Sequence, residues 1–140
     1  WAFKASSTLD SMLGYRTGRL YWMGTAGARL DDLLTWIPCR IVMVTLPLVA
    51  QPWSRWTELV RAAEHDGAPD PSPNAGRSEA SFAHCAGIRL GGRNRYGANW
   101  VDKPILAEHC PSPDRTAIMR VLNLNLKLEL FWLLGVILIW

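Results

Sequence analysis

The sequence predicts an all-α fold, a helical integral membrane protein whose helices are joined by polar loops. Hydrophobic residues make up 49% of the chain and the mean hydropathy is +0.03, at the border between soluble and membrane proteins. Eight tryptophans are present, and several border the two apolar runs. Trp36 and Trp53 flank the first run, and Trp132 and Trp140 belong to the second. Tryptophan at such borders is typical of membrane interfaces.

The composition limits the class of protein. With 140 residues the chain is long enough for a single domain with its own core. It starts at Trp1 and stops within an apolar run, so we expect a piece of a longer protein. The net charge of +3 comes from dispersed Lys and Arg residues, so no nucleic acid partner is expected. The three cysteines form no C-x-x-C pair, which disfavours a disulfide framework.

Two helices are predicted before the first apolar run. The segment Lys4–Leu13 is typical of a short helix that ends at Gly14. In Ala28–Trp36 the leucines, together with Ile37, recur at helical spacing and form one apolar stripe. Pro38 is then expected to bend or break the chain, because proline removes a helical hydrogen bond.

The first apolar run, Ile41–Ala50, has ten residues, whereas a helix needs about 20 to cross a bilayer. Extending the run to Trp36–Trp53 nearly reaches that length, but the longer segment includes Arg40 and two prolines. A kinked, re-entrant or interfacial element is therefore as consistent with the sequence as a clean crossing.

The next predicted helix is Ser54–His65, with Ser54 as its cap and Gly67 as its stop. A proline-rich turn, Ala68–Pro73, follows it. The stretch after this turn, Ser72–Gly97, holds the densest group of turn-forming and basic residues in the chain.

Within this stretch, Ser78 and Glu79 indicate the start of a helix that runs over Ala80–Leu90 and stops at Gly91-Gly92. A basic turn is expected after it, and the positive charge comes from three arginines: Arg89, Arg93 and Arg95. Forked donors beside exposed backbone N–H groups suit a bound phosphate or carboxylate. A capped helix followed by a solvated basic turn fits the same residues.

The C-terminal third predicts one long helix. Asn99–Pro111 is expected to be irregular, and Ser112-Pro113-Asp114 has the residues of a helix start. Leu122–Leu130 alternates as a strand would, but leucine favours helices and the segment continues into an apolar run up to Trp140. We expect this helix to associate with a membrane, the alternative being a buried helix of a soluble protein.

Three common nucleotide-binding and nucleophile motifs are absent from the sequence. There is no G-x-x-x-x-G-K-[ST], G-x-G-x-x-G or G-x-S-x-G. His84-Cys85 and His109-Cys110 are adjacent pairs whose side chains diverge on a helix, so a zinc site is not expected, although the two pairs could cooperate. Asp31-Asp32 could hold Mg²⁺ together with substrate phosphates, or could be a solvated pair. The cations, carboxylates and glycines of the polar turns together favour an enzyme that acts on phosphorylated, anionic substrates.

Six segments together resemble the CobD/CbiB family, the adenosylcobinamide-phosphate (cobinamide) synthases of cobalamin biosynthesis. They occur in the family's order and approximate spacing: KASSTLDSMLGY (Lys4–Tyr15), ARLDDLLTWIPCR (Ala28–Arg40), PSPNAG (Pro71–Gly76), RLGG (Arg89–Gly92), NRYG (Asn94–Gly97) and DKP (Asp102–Pro104). The resemblance covers nearly the whole chain, which would form the C-terminal half of a family member.

The resemblance implies a multi-pass enzyme of the cell membrane. Its implied reaction is the ATP-dependent ligation of (R)-1-amino-2-propanol, or its O-phosphate, to cobyric acid, with an amide bond formed to give cobinamide or cobinamide phosphate. ATP and Mg²⁺ are the implied cofactors. The implied partners are the corrinoid, the aminopropanol compound, membrane lipid and other enzymes of the cobalamin pathway.

The resemblance also suggests residue roles, which are hypotheses. Asp31 and Asp32 would bind Mg²⁺, with Asp10 in support, and Glu79 would orient the attacking amine or act as a base; Asp31, Asp32 and Glu79 are thus the candidate catalytic residues. The candidate substrate-binding residues are cations, polar side chains and glycines: Lys4, Asp10, Arg29, Arg40, Asn74, Arg89, Gly91, Gly92 and Lys103.

A single full crossing by Ile41–Ala50 would place the motifs before and after it on opposite sides of the membrane. One active site could not use both sets, so we predict that this run does not make one simple crossing. Two other classes of function fit the sequence: a non-catalytic membrane subunit that binds an anionic ligand, and a soluble helical interaction domain.

Overall fold

A computed structural model of the chain describes residues 8, 21–50, 52–97 and 99–140. From residue 21 onward it consists of helices and one β-hairpin, which are α1 (Tyr21–Ala50), a 3-10 turn (Trp53–Arg55), α2 (Trp56–Gly67), α3 (Ala75–Ala86), β1 (Leu90–Tyr96), β2 (Asn99–Leu106) and α4 (Arg115–Ile139). The chain divides into two compact units between Arg40 and Ile41. The predicted helix Lys4–Leu13 lies outside the described residues, apart from Thr8.

The prediction of an all-α fold is wrong in one element, the hairpin. Strands β1 and β2 pair antiparallel, from Leu90 opposite Leu106 to Tyr96 opposite Asn99. The helix expected to reach Leu90 ends at Ala86 because Gly87 adopts a left-handed conformation with a φ of 64°. The basic turn and the irregular segment of the prediction are therefore two paired strands.

Helix α1 continues through both of its prolines, so the break expected at Pro38 does not occur. Each proline removes one backbone donor, which a long helix tolerates when its other bonds are kept. The carbonyl of Leu48 has no helical donor, because the residue four positions later is Pro52. Trp53 supplies the missing donor, since its Nε1 lies 2.8 Å from the Leu48 oxygen. This bond closes the C-terminal end of α1.

Helices α2 and α3 pack at a contact made of small residues. A Cβ on Gly67 would lie 2.5 Å from the backbone N and Cα of Arg77, and a Cβ on Gly76 would lie 2.6 Å from the Gly67 oxygen. Ala63 and Ala80 are fully buried. Helix α2 ends at Gly67, which confirms the predicted stop, and the missing side chain of this buried glycine also allows the close approach of the two helices.

The core of the second unit joins the last turns of α1 to α3 and α4. It consists of apolar residues that are less than one-tenth exposed: Leu46, Ala86, Ile88, Ala117, Leu124 and Leu128. Nε1 of Trp132 donates to Oγ1 of Thr45 at 3.2 Å, beside this core. The last turns of α1 and the middle of α4 are therefore in direct contact.

Helix α4 confirms the prediction of one long helix through the alternating leucines. Its cap is Asp114, two residues later than the predicted start at Ser112, and the carboxylate accepts from the Ala117 N–H at 2.7 Å. Alternation with a period of two does not prevent a helix when leucine, a good helix former, occupies every second position.

Two helical segments, Thr25–Ala50 and Arg115–Ile139, are long and apolar enough to cross a membrane. In α4 the apolar side chains after Phe131 point mostly outward; Ile137 is 62% exposed and Leu138 is 76% exposed. An apolar surface of this extent fits lipid or a protein partner better than water.

Candidate functional site: a basic cleft and an aspartate–histidine centre

A cleft at the base of the hairpin brings together three of the predicted substrate-binding residues, Arg89, Gly91 and Gly92. Its volume is about 400 Å³, and Asn94 and Ser112 also line it. The backbone N–H of Arg89 donates to the Pro111 oxygen at 2.8 Å, and its guanidinium donates to Ser112 Oγ at 2.7 Å. These two bonds tie the start of the hairpin to the segment that leads into α4.

Backbone geometry explains why glycines form this cleft. Gly91 and Gly92 have φ values of 82° and 73°, in the left-handed region. Gly91 pairs with Ile105 and Gly92 with Lys103, so Pro104 is left without a partner in the register. A Cβ on Gly91 would collide with the Pro104 carbonyl oxygen. The bulge thus needs glycine on β1 and accommodates a proline, which has no N–H to donate, on β2.

The polar groups of the cleft favour an anion. Arg89 is exposed, so its guanidinium keeps donors available besides the one on Ser112. Asn94 Nδ2 donates to the Gly92 oxygen at 3.0 Å, which holds the amide at the cleft wall. No carboxylate is found among the described residues that line the cleft. Phosphate or carboxylate oxygens suit such a site, because arginine binds them with paired hydrogen bonds.

A second polar centre, which the sequence analysis missed, is built around Asp66 at the end of α2. Its Oδ2 accepts from His84 Nε2 on α3 at 2.8 Å and from the Ala107 backbone N–H at 3.0 Å. Its Oδ1 lies 3.0 Å from His65 Nδ1. One carboxylate therefore connects α2 and α3 to the residue that follows β2.

The surroundings of Asp66 favour its charged form. Burial alone would raise the pKa of this carboxyl, but the hydrogen bonds from His65, Ala107 and His84 outweigh burial and lower the pKa below its ordinary value. Ala107 has a φ of 52°, which is rare for a residue with a Cβ. The bond to Asp66 helps to hold this backbone conformation.

The histidines singled out in the sequence do meet in the fold. The rings of His84 and His109 lie 5.6 Å apart between centroids, so the two His-Cys pairs are neighbours. Burial raises the pKa of the Cys85 thiol to about 12, which keeps it protonated and unreactive. A sequence signal for Asp66 existed: an acid in the last turn of a helix opposes the helix dipole and therefore needs partners.

Other predicted residues of the second unit lie outside the cleft lining. Glu79 is exposed on α3, and Asn74 is 5% exposed at the N-cap of that helix. Lys103 stands opposite Gly92 in the sheet and is half-buried. These positions leave Glu79 open to solvent, whereas Asn74 is buried at the N-cap of α3, where its backbone oxygen accepts from the Ser78 N–H at 3.0 Å.

The remaining predicted residues belong to the first unit or fall outside the described part of the chain. Asp31 and Asp32 are half-buried in α1, and Thr35 Oγ1 donates to the Asp31 carbonyl at 2.7 Å. The guanidinium of Arg40 lies 5.1 Å from the Trp36 ring centroid. Arg29 is exposed in α1, whereas Lys4 and Asp10 lie outside the described residues.

The described residues offer few protein ligands for Mg²⁺. No group of three or more His, Cys, Asp or Glu side chains that could hold a metal occurs in the part of the chain that the structure describes. Mg²⁺ in phosphate-handling sites takes one or two carboxylates and completes its octahedron with water and substrate oxygens. Asp31 and Asp32 are neighbours on α1, and adjacent side chains leave a helix in different directions, so each carboxylate by itself meets that smaller requirement.

Comparison with known proteins gives consistent matches. The family model described as CobD/Cbib protein matches residues 1–125. The chain is 44% identical over 108 residues to a protein named Cobalamin biosynthesis protein CobD from Synechocystis sp., a match that covers 76% of this chain and 30% of that protein. Proteins of the same name from Yersinia enterocolitica and Mycobacterium tuberculosis are 37% and 40% identical over 136 and 110 residues.

These two matches cover 95% and 76% of this chain, and 42% and 34% of the respective relatives. The chain thus spans less than half of the length of the relatives that it matches. No solved structure gives a significant match. The resemblance seen in the sequence motifs is confirmed, and the chain belongs to the CobD/CbiB protein family.

Proposed function

We propose that this chain supplies part of the substrate site of a membrane-bound amide ligase of cobalamin biosynthesis. The observation that supports it most directly is the cleft that joins Arg89, Ser112 and the two left-handed glycines at the base of the hairpin. A site with one arginine and no lining carboxylate suits a substrate that carries phosphate or carboxylate groups.

The proposed reaction joins the carboxyl group of cobyric acid to the amine of (R)-1-amino-2-propanol or its O-phosphate. A carboxylate is a poor acyl donor, so one of its oxygens first takes the terminal phosphoryl group of ATP to give an acyl phosphate. The amine nitrogen then attacks the acyl carbon, the C–O bond to phosphate breaks, and a base accepts the proton that the nitrogen loses. Cobinamide or its phosphate, ADP and inorganic phosphate are the products.

We assign the cleft to the phosphate of the aminopropanol compound. Arg89 would bind its oxygens with the guanidinium, and Ser112 would orient that guanidinium through the 2.7 Å hydrogen bond. The bulge at Gly91 allows the ligand to approach the backbone closely, because no Cβ intrudes. Aminopropanol without phosphate offers no anionic oxygen to the exposed donors of Arg89, so the phosphorylated form is the better substrate for this cleft.

We propose catalytic roles for three acidic residues. Asp31 and Asp32 would hold Mg²⁺, which supplies positive charge to the transferring phosphoryl group when it is bound. Glu79 is exposed, so its carboxylate is able to accept the amine proton. The remaining basic residues would bind nucleotide phosphates and corrin carboxylates: Lys4, Arg29, Arg40 and Lys103. Asn74, at the start of α3, would offer a close backbone or amide contact to the substrate.

The decisive experiment uses membranes that carry the complete protein. Cobyric acid, Mg²⁺-ATP and aminopropanol phosphate are supplied, and cobinamide phosphate is measured by mass spectrometry. We expect product from the unaltered protein and its loss in Asp31→Asn, with Arg61→Gln on α2 as a control that changes one exposed charge elsewhere. Absence of product from intact membranes would favour a non-catalytic membrane subunit that binds an anionic ligand.

We also propose a multi-pass location in the cell membrane. The two candidate spans Thr25–Ala50 and Arg115–Ile139 support it, and the outward apolar side chains of α4 agree with it. Single cysteines at Asp10 and at Ala75, the exposed neighbour of the buried Asn74, test the prediction that residues 41–50 do not make one simple crossing. Labelling of both from one side supports that prediction. Labelling from opposite sides would mean that α1 crosses once and would remove Asp10 from the site.

A further inference from the structure

We propose that an anionic glycerophospholipid binds in a groove between the last turns of α1 and the middle of α4, with its phosphate on Lys127. The groove and the Arg89 cleft share no lining residue. The inference rests on the membrane location proposed above and is independent of the ligation reaction.

The groove has a volume of about 640 Å³ and two walls. The described residues that line it are mostly apolar: Leu48, Val49 and Trp53 on one side, and Lys127, Leu130, Phe131 and Leu134 on the other. The four residues of α4 are spaced three, four and seven positions apart, so they form one face of the helix. This face extends for about 10 Å along the helix axis. An acyl chain can lie along it.

Lys127 is the only charged residue among the described residues that line the groove. Its side chain is exposed, and it has no ion pair or hydrogen bond with another residue in the part of the chain that the structure describes. The nearby carboxylate of Glu129 accepts from Asn125 Nδ2 at 2.7 Å, which occupies it on its own helix. A cation in a candidate membrane span is costly unless an anion reaches it. The phosphate of a lipid supplies that anion.

The order of residues along the groove matches the two parts of a phospholipid. Lys127 lies at the middle of α4, three residues before the continuous apolar run that begins at Leu130, and Leu134 lies within that run. Trp53 is 68% exposed, and its indole is held by the bond to the Leu48 oxygen. Tryptophan and lysine together are typical of the headgroup level of a bilayer, where lysine extends its ammonium toward phosphate. The acyl chain would then enter between Leu134 and the end of α1.

Free phosphate and neutral lipid each match only one part of this groove. Inorganic phosphate gains nothing from the apolar walls, and diacylglycerol offers no charge to Lys127. An anionic glycerophospholipid uses both parts, because apolar burial and charge attraction add together for one ligand. We therefore commit to this class of ligand.

The test compares two spin-labelled lipids, phosphatidylglycerol and diacylglycerol, in bilayers that contain the complete protein. The fraction of motionally restricted label gives the relative association of each lipid. For the unaltered protein we expect phosphatidylglycerol to be preferred about fivefold over diacylglycerol, the effect of one lysine at an anionic headgroup. Lys127→Gln should abolish the preference, and Arg61→Gln on α2, an equal loss of charge away from the groove, should keep it.

A second variant tests the apolar wall without a change of charge. Leu130→Trp fills the groove and should lower restricted phosphatidylglycerol, whereas the exposed Leu122→Trp on the same helix should not. Equal association of the two lipids with the unaltered protein would overturn the proposal, as would a preference that survives Lys127→Gln. Ligation activity is assayed on the same samples, so absence of any lipid preference in the unaltered protein, together with normal product formation, would reject the lipid site alone.

Discussion

His84 on α3 donates its Nε2 hydrogen to Oδ2 of Asp66 on α2, across a distance of 2.8 Å. The same oxygen of Asp66 accepts from the Ala107 N–H at 3.0 Å. Three segments that are distant in sequence therefore share one carboxylate. His84 has a side chain that is 6% exposed, so its ring is fixed within this contact. This arrangement stabilises the fold because the Asp66 carboxylate accepts hydrogen bonds from two buried donors that water cannot reach.

We expect Asp66→Ala to lower the free energy of unfolding by about 1–3 kcal/mol, because the buried Ala107 N–H and the His84 ring lose their acceptor. His65→Ala is the control, since that ring also contacts Asp66 but is 89% exposed. It should change the free energy by less than about 0.5 kcal/mol. Thermal and denaturant unfolding of the chain in detergent measure both. Equal effects of the two variants would contradict the role assigned to the buried bonds.

The lowered pKa of Asp66 predicts a loss of stability in acid. The native hydrogen bonds favour the charged carboxylate, so the unfolded chain binds a proton more readily than the folded chain does. The stabilisation is fully present above the ordinary value of 3.8 and is lost as the pH falls through the lowered native pKa. Asp66→Asn cannot titrate, so its difference in unfolding free energy from the unaltered protein should shrink as the pH falls from 7 to 3. A difference independent of pH would contradict the assignment.

Gly91→Ala should destabilise the hairpin more than Gly97→Ala. Both glycines have positive φ, which costs about 1–2 kcal/mol for a residue with a Cβ. Only at Gly91 does the new Cβ also meet the Pro104 carbonyl oxygen, which adds about 1–3 kcal/mol of overpacking. Limited proteolysis of the hairpin and the unfolding free energy compare the two variants. If Gly97→Ala proves as damaging as Gly91→Ala, the bulge is not the feature that requires glycine.

Arg89→Gln should raise the KM for aminopropanol phosphate by about 10- to 100-fold, the loss of a hydrogen-bonded charge in the binding site. The KM for unphosphorylated aminopropanol should stay within about twofold, because that substrate has no group for Arg89 to bind. Arg95→Gln is the matched control, since Arg95 donates to the Gly97 oxygen at 3.0 Å and does not line the cleft. Equal KM changes for both substrates would remove phosphate recognition from the cleft.

Cys85 should resist alkylation in the folded protein, because burial raises the pKa of its thiol to about 12 and leaves almost no thiolate at pH 8. Iodoacetamide treatment followed by peptide mass spectrometry measures this. Labelling of Cys85 should appear only after denaturation, in contrast to an exposed cysteine introduced at Glu79. Rapid labelling of Cys85 in the native state would mean that α3 opens readily.

Elements that depend on the preferences of neighbouring residues were predicted from the sequence. Elements that depend on contacts with distant parts of the chain were missed. The long helix α4 was predicted correctly because leucine favours a helix at every position it occupies. Gly91 and Gly92 were interpreted as a helix stop, since positive φ ends a helix just as it forms a bulge. The contact that decides between the two is with Pro104, on a strand that the sequence pattern did not reveal.

The candidate site also combines residues that can be found from local sequence with partners that are distant in the chain. Arg89 and the two glycines could be found from their charge and conformational freedom within four residues. Ser112 enters the cleft from 23 residues further along the chain, and Asp66 reaches His84 across 18 residues. No short motif contains such pairs. Their partners follow from how α2, α3 and the hairpin pack, which a linear pattern does not determine.

The bulged hairpin also has a consequence for association between molecules. A sheet of two strands leaves one side of each strand open, and an open side is a template for a further strand from another chain. The bulge opposite Pro104 distorts the backbone that such a strand would have to pair with. Arg93 and Arg95 add like charges that would repel a second copy of the same hairpin. The features that shape the cleft thus also protect this small sheet from edge-to-edge aggregation.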